Sequence, residues 1–389
     1  MQDSDPPAPG PLDGVRIIDI STVMAAPFAT HVLADHGADV IKVESPTGDI
    51  MRNSAQSPEP QMSPIFQHMN RNKRSIVLDL KSADDRAVLL DLVASADAFV
   101  YNMRPAVMAR LELDYASVRA ANPEIVYCGV IGYGRGGRYE NRPAYDDLVQ
   151  GAVAIPTLNT TPAAGPRFVP AAIIDRTTGL YMANALLMAL LRRERTGQGA
   201  AVEVPMFEAA AHFLLVEHMF GRSFEPPVGT AVNKRMLQPD RRPFPTSDGF
   251  VCVLPYTNRN WRDLSTILGI DDVTADPRFA DFPARRENIG ELYALLAARL
   301  SERTTDEWLA SCDEVDIPAS RCATVDELID DPHLAERGFF RMVPDGHGMF
   351  RHMRSPIEWA DWSPPDPRPA PRLGEHSAEI TRTRTAREA

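Results

Sequence analysis

Asp175 breaks an otherwise apolar passage. Residues 168–174 (FVPAAII) lead into it, and a helix-like stretch beginning near Thr177 continues through 179–191 (GLYMANALLMALL) with almost no polar face. Such a helix is expected to be buried. A carboxylate just ahead of it has two uses. As an N-cap it accepts from orphan N–H groups and complements the positive end of the helix dipole, and both effects keep it ionised. As a nucleophile it attacks an acyl carbon. Position alone leaves both open.

Other reactive patterns are weaker. Residues 132–137 (GYGRGG) satisfy G-x-G-x-x-G behind a strand, but a dinucleotide fingerprint also needs an apolar helix directly after it. Residues 138–143 (RYENRP) do not begin one, so a plain glycine loop is expected. No G-x-S-x-G elbow supports a serine triad. The nine histidines show no metal-binding spacing and none lies between His68 and His212, so no metal is expected. His31 and His36, on the first helix, read as surface or packing residues. Cys128 lies within a strand, where a thiol is usually inert. Basic residues gather at strand ends: Arg71, Lys73 and Arg74 before one strand, Lys81 after it, then Arg104 and Arg110. A polyphosphate ligand fits such a cluster, and so does a solvated charged rim.

The elements that must position these groups follow from apolar patterning. Residues 15–20 read as a strand, 21–33 as a helix and 38–44 as a second strand, which is a βαβ unit. The pattern recurs as strand 75–80, helix 84–94, strand 98–102, helix 115–121 and strand 125–130. This alternation predicts a Rossmann-like doubly wound sheet, with ligands at the carboxyl ends of its strands. After the long helix and its stop at 197–199 (GQG) come strand 201–205 and helix 206–220. Domain boundaries are expected as a large domain over 1–220, a linker over 221–245 and a smaller α+β domain over 246–330. In the last, strand 250–254 precedes helical stretches at 261–268, 287–301 and 305–312. A C-terminal segment, 331–389, is expected to be loop-like and to return to the large domain, with 381–389 frayed.

Composition sets the outer bounds. The 389 residues are 44% hydrophobic and 24% charged, as in an ordinary globular protein. A formal net charge of -12 argues against nucleic acid or an anionic membrane as a bulk partner. The four scattered cysteines lack CxxC spacing and read as reduced structural thiols. Residues 1–10 show no leader pattern, and the apolar run after Gly179 is too short to span a bilayer, so a cytoplasmic location is expected.

Taken in order, these segments resemble the family III CoA-transferases (the CaiB/BaiF family). The matching stretches are 12–19 (LDGVRIID), 37–44 (GADVIKVE), 72–81 (NKRSIVLDLK), 102–105 (NMRP), 142–146 (RPAYD), 196–199 (TGQG), 331–334 (DPHL) and 373–376 (LGEH). The resemblance implies that Asp175 is the nucleophile. CoA would move from an acyl-CoA thioester to a free carboxylic acid through an aspartyl anhydride and an aspartyl-CoA thioester, with CoA as substrate and no permanently bound cofactor. It further implies that Thr22, Val23, Met24 and Ala25 line the thiol end of CoA. Leu78, Lys81, Asn102, Met103, Arg110 and Leu111 are the further CoA contacts it implies, and Tyr145 with Asp146 would lie near the reacting carbonyl. An interlocked-ring homodimer is also implied, and the aromatics Phe339, Phe340, Phe350, Trp359 and Trp362 of the returning segment are expected to be buried.

Two departures are visible. Ser45 stands where some members carry an arginine. Residues 232–237 (VNKRML) replace the glycine loop of the oxalate-specific members, so an acceptor other than oxalate is expected, with Lys234 or Arg235 receiving a substrate carboxylate. The alternative of the same fold, an α-methylacyl-CoA racemase, needs a histidine where Tyr145 stands.

Overall fold

The computed structural model describes residues 9–160 and 165–388. The chain divides into two compact units, one made of Met1–Thr157, Arg167–Leu214 and Glu336–Ala389, the other of Leu158–Pro166 and Leu215–Ala335.

The first unit is built on a six-stranded parallel sheet. Its elements run β1 (Arg16–Asp19), α1 (Ala25–Ala34), β2 (Asp39–Glu44), α2 (Pro64–Asn70), β3 (Arg74–Val77), α3 (Ala83–Val93), β4 (Ala98–Tyr101), α4 (Pro105–Arg110), α5 (Tyr115–Ala121), β5 (Val126–Ile131), α6 (Asp146–Ala152), α7 (Ile155–Leu158), α8 (Ile173–Thr196), β6 (Ala200–Pro205) and α9 (Met206–His218). Strand order is β3-β2-β1-β4-β5-β6, so the winding reverses between β1 and β4. In a doubly wound sheet the carboxyl ends of the strands at such a switch point are where a ligand is expected.

Alternation along each strand feeds two cores. Ile17, Val40, Val100 and Cys128 face α1 and α8, while Ile18, Ile41, Phe99 and Tyr127 face α3 and α5. Residues buried on both faces are what a central parallel sheet requires. Burial of Tyr101, Phe99, Ile17 and Ile18 is essentially complete. At about 1.5–3 kcal/mol for each large apolar side chain, such layers dominate the stabilisation of the unit.

The second unit carries the antiparallel strands β7 (Phe244–Pro245), β8 (Phe250–Val253) and β9 (Ala319–Arg321) with helices α10 (Asn258–Ile267), α11 (Phe282–Glu287), α12 (Ile289–Leu300), α13 (Thr305–Glu314) and α14 (Val325–Ile329). Trp261, Leu264, Leu292, Leu296 and Trp308 fill its core, and the Trp308 indole N–H donates to Leu300 O at 2.7 Å. Capping boxes at Thr257, Thr304 and Thr324 fix three helix starts, each worth about 1 kcal/mol.

The chain beyond 330 is more regular than expected. It forms α15 (Pro332–Glu336), an antiparallel ribbon of β10 (Phe340–Pro344) and β11 (Met349–Met353), and α16 (Ser377–Glu388). Ribbons and short helices at this spacing lack the long apolar periodicity that a sequence reading detects. Between them, 368–377 runs along the open edge of β3: Asn72 N–H donates to Arg368 O (3.1 Å), His376 N–H to Ser75 O (3.0 Å) and Val77 N–H to Ser377 Oγ (3.3 Å). The LGEH segment thus covers an edge that would otherwise offer unpaired backbone groups. The aromatics expected to be buried here are only partly so: Phe350 packs on His68 with centroids 4.8 Å apart and Trp362 on His36 at 5.9 Å, while Trp359 stays exposed.

Helix α8 also departs from expectation. Ile174, Met182 and Leu186 face the core, but Leu180 (51%), Leu187 (42%), Met188 (64%) and Leu191 (51%) are exposed on its outer side. Among the described residues no helix is long and apolar enough to cross a membrane.

Candidate active site

The site begins with the loop after β1. The first helix starts at Ala25 rather than at Ser21, because residues 21–24 form a fixed turn instead of a helical one. Thr22 N–H donates to Asn102 Oδ1 (3.1 Å), and the Asn102 amide returns a bond to Thr22 O (2.6 Å). This reciprocal pair spans the switch point, joining the ends of β1 and β4. Val23 follows with φ 70, a left-handed conformation that a β-branched residue avoids unless it is held. Its N–H donates to Asp49 Oδ1 at 3.2 Å.

Loop and α8 meet closely. A Cβ at Gly179 would lie 2.6 Å from Ala25 O, so only glycine lets the first turn of α1 approach α8 this far. One turn earlier on α8, the Arg176 guanidinium sits 4.8 Å above the Phe28 ring. Asp175 therefore emerges beside the start of α1.

Asp175 is not the cap of α8. The helix begins two residues before it, at Ile173, which places Asp175 in the first turn. Asp146, at the start of α6, does the capping from another element: its Oδ2 accepts from Ile174 N–H (2.8 Å) and Asp175 N–H (2.9 Å), and its Oδ1 accepts from Gln150 Nε2 (2.7 Å). The Asp175 carboxylate is left with no hydrogen bond among the described residues. Nor is it as firmly ionised as its position suggested. Burial first, and the Asp146 carboxylate second, push its pKa up to about 6, with Arg176 opposing. At neutral pH it remains mostly a carboxylate, more basic than an exposed aspartate and bound to no donor. Those are the properties of a poised nucleophile.

The other expected residues separate into groups. Leu78, buried, and Lys81, exposed, lie past the end of β3, and Met103 lies past β4; Arg110 and Leu111 come one short helix later, at the end of α4. Lys81, Arg104 and Arg110 make no ion pair among the described residues. The cations before β3 are consumed internally instead. Arg71 pairs with Asp35 (2.5 Å), Arg74 with Asp39 (2.7 Å), and Lys73 reaches Asp19 at 3.2 Å in full burial. They sit at the amino end of the strand and take no part in a ligand rim, which corrects that reading. His31 and His36 are buried too, and of the four free cysteines Cys252 and Cys322 are exposed.

Ser45 turns back on its own loop, Oγ lying 2.9 Å from Thr47 Oγ1. Tyr145 is 68% exposed. In the second unit Lys234 and Arg235 form part of a 3-10 turn, Lys234–Leu237, next to a 480 Å³ pocket lined by Phe220, Phe224, Val228 and Arg286. The 132–137 loop binds itself to α9, Gly134 N–H donating to Glu208 Oε1 at 3.0 Å. No group of histidine, cysteine and acidic side chains suited to a metal occurs among the described residues.

Sequence reading missed Asp19, Lys42 and Asp49. A signal was present: Lys42 stands in the middle of an apolar strand, where a charge is tolerated only if it is paired.

Comparison with known proteins places these features. The model of CoA-transferase family III matches residues 12–377. The chain is 31% identical over 380 residues to a probable fatty acyl-CoA transferase of Mycobacterium tuberculosis, covering 95% of this chain and 96% of that one. It is 31% identical over 384 residues to a succinate–glutarate CoA-transferase of Agrobacterium fabrum, covering 95% and 94%. The crystal structure of a CaiB/BaiF family protein from Brucella suis superposes with a TM-score of 0.83 at 31% identity, covering 97% of this chain and all of that one. The chain belongs to CoA-transferase family III, and nothing in the site favours the racemase alternative.

The raised pKa of Asp175 makes a prediction about stability. A folded-state pKa above the unfolded one means that the native protein holds the proton more tightly. The charged form therefore costs stability above about pH 6, and the cost disappears as pH falls toward 4. Asp175→Asn should stabilise the protein by about 1–2 kcal/mol at pH 8, a value discounted for partial exposure, and by nothing measurable near pH 4. Denaturant titrations at both pH values test this; an equal effect at the two would contradict the assignment.

Proposed function

We propose that this family III CoA-transferase moves CoA from an acyl-CoA to a free carboxylic acid through covalent intermediates on Asp175. The observation that carries the reading is the Asp175 carboxylate itself. It is freed from capping by Asp146, raised toward neutrality and set beside the loop 22–25. Asp175 attacks the thioester carbon, the C–S bond breaks, and CoA leaves as the thiolate, giving an aspartyl acyl anhydride. The thiolate then attacks the aspartyl carbonyl and releases the donor acid as its carboxylate, leaving an aspartyl-CoA thioester. The acceptor carboxylate attacks this thioester and expels the thiolate, which in turn attacks the acceptor's acyl carbon. The product thioester leaves and Asp175 regains its carboxylate. Each step exchanges one acyl bond for another, so the thioester free energy is conserved and no other cofactor is held permanently.

In this reading Thr22, Val23, Met24 and Ala25 face the thioester across the switch-point crevice, with Asn102 and Met103 on its other side. Leu78 packs on the nucleotide end, and Lys81 and Arg110, exposed and without ion-pair partners among the described residues, receive phosphates alongside Leu111. Tyr145 borders the reacting carbonyl and Asp146 holds the backbone of Asp175. Lys234 and Arg235 receive a carboxylate of the acid substrate. The exposed stripe Leu180, Leu187, Met188 and Leu191 repeats at helical spacing on one side of α8, and a second copy of the chain covers it in an interlocked homodimer.

Mass spectrometry of the protein incubated with acyl-CoA should find a hydroxylamine-sensitive adduct on the peptide containing Asp175. Asp175→Ala should lose both adduct and turnover while binding CoA normally; retained turnover would sink the mechanism.

The binding assignments divide by substrate. Lys81→Ala and Arg110→Ala should each weaken CoA binding roughly ten- to a hundredfold, the loss of one charged hydrogen bond of about 1.5–3 kcal/mol. Lys234→Ala and Arg235→Ala should raise KM for the acid and leave that for acyl-CoA in place. Calorimetry and initial rates with a panel of acids decide, and the reverse pattern would overturn the assignment.

For assembly, two differently tagged preparations mixed at nanomolar concentration should keep their subunits for hours. An active monomer, or ready exchange of native subunits, would exclude an interlocked dimer.

A further inference from the structure

The loop that carries Thr22 and Val23 is held by side chains rather than by regular secondary structure. Asp19 Oδ1 accepts from Ser21 N–H (2.9 Å) and Ser21 Oγ–H (2.5 Å). Lys42 Nζ donates to Ser21 O at 2.9 Å. Asn102 takes both main-chain groups of Thr22, and Asp49 takes the N–H of Val23. Both backbone groups of residues 21 and 22 and the N–H of residue 23 are thus engaged by four side chains from β1, β2, the turn before Ile50 and the end of β4.

Two of the four form a buried ion pair, Lys42 Nζ to Asp49 Oδ2 at 3.0 Å, with both side chains 0% exposed. A pair that only stabilised a core would complete its bonding within the core. Here each member also spends a hydrogen bond on the loop. The cost of Val23 at φ 70 shows why that matters: a strained residue of this kind costs about 1–3 kcal/mol and relaxes unless its surroundings over-determine it.

We propose that Lys42 and Asp49 are positioning residues, an ion pair that clamps the backbone of 21–23 in its binding-ready shape before acyl-CoA arrives. The pair links the loop to β2, inside the sheet, and so places it with the precision of a rigid element rather than of a surface loop. The proposal rests on the reading of 22–25 as the thioester-facing loop. Its consequence is specific: backbone N–H groups of 21–23 are already committed and cannot be donated to the ligand, so this loop recognises acyl-CoA through side chains and through the first amides of α1.

Hydrogen exchange on the intact, ligand-free protein tests the clamp without any variant. Amides of Ser21, Thr22 and Val23 should be protected as well as those of β1; exchange at the rate of an open loop would overturn the proposal. The variants then test its purpose. In Asp49→Asn, and in Lys42→Met combined with Asp49→Asn to avoid a lone buried charge, exchange of 21–23 should accelerate at least tenfold while β5 and α8 stay protected. KM for acyl-CoA should rise at least tenfold with kcat within about threefold, a split that a merely structural role would not produce. A folded variant whose loop stays protected would refute the clamp. A loosened loop with unchanged KM would instead leave the clamp standing and remove 22–25 from the thioester site.

Discussion

One set of buried charges holds the first unit in register. Asp19, Glu44 and Asp49 face Lys42, Arg52 and Lys73 within it, three carboxylates against three cations, through pairs at 3.0, 2.7 and 3.2 Å. Burial alone would push the Asp19 carboxyl up, yet Lys73 and Lys42 hold it below its ordinary value. Lys73 is less well compensated: burial takes its ammonium down to about 8 against the attraction of Asp19. The set ties β1 to α1 through Thr30, which donates to Asp19, the loop after β1 to β2 through Lys42, and β2 to β3 through Ser75, whose Oγ donates to Glu44 at 2.8 Å. Arg52 extends it to the C-terminal segment by donating to Pro371 O at 3.1 Å. Removing one partner from such a pair leaves an unpaired buried charge and typically costs about 3–5 kcal/mol. The arrangement is therefore all or nothing, and it makes the register of three strands and the path of the C-terminal segment interdependent.

The chemistry depends on that rigidity. In the proposed mechanism an attacking carboxylate must be held about 3–3.5 Å from its carbon with little positional freedom, which calls for both α8 and the loop after β1 to be fixed to the same sheet. Gly179 lets α8 touch Ala25, and the buried charges fix the loop leading into α1. Asp146 completes the arrangement by taking over the capping bonds. Were Asp175 the cap, its oxygens would be spent on N–H groups, its pKa would fall, and it would be a poor nucleophile. Dividing the two duties between two aspartates gives one that holds the helix and one whose oxygens stay available for the proposed attack. Burial beside Asp146 makes the Asp175 carboxylate costly to the fold at neutral pH, as functional sites often are.

Much of this was legible in the chain. Strands β1, β2, β4 and β5 announce themselves as short apolar runs, since a parallel sheet buried on both faces leaves little room for polar residues. The capping boxes T-x-x-E at 304–307 and 324–327 mark helix starts within one residue, because local hydrogen bonds are encoded locally. Long-range pairing was not. The basic cluster at 71–74 looked like a ligand rim because sequence shows the charge but not the carboxylate that meets it from another strand. Asp35 and Asp39 lie on other elements and reach Arg71 and Arg74 only after folding.

Helix α8 shows the same limit from the opposite side. Its nearly unbroken apolar sequence states that both faces avoid water, but the folded chain covers only one of them. Leu180, Leu187, Met188 and Leu191 on the other stay exposed, and the sequence of a single helix is silent on which face the fold will cover. The sequence by itself determined the alternation of strands and helices, the parallel sheet, the family and the presence of an acid at position 175, because periodicity and motif order are properties of the chain. Only the tertiary structure decided which acid caps α8 and which keeps its oxygens free of that duty. That choice depends on Asp146 arriving from 29 residues away in sequence, and a buried charge takes its pKa from neighbours that only folding brings together.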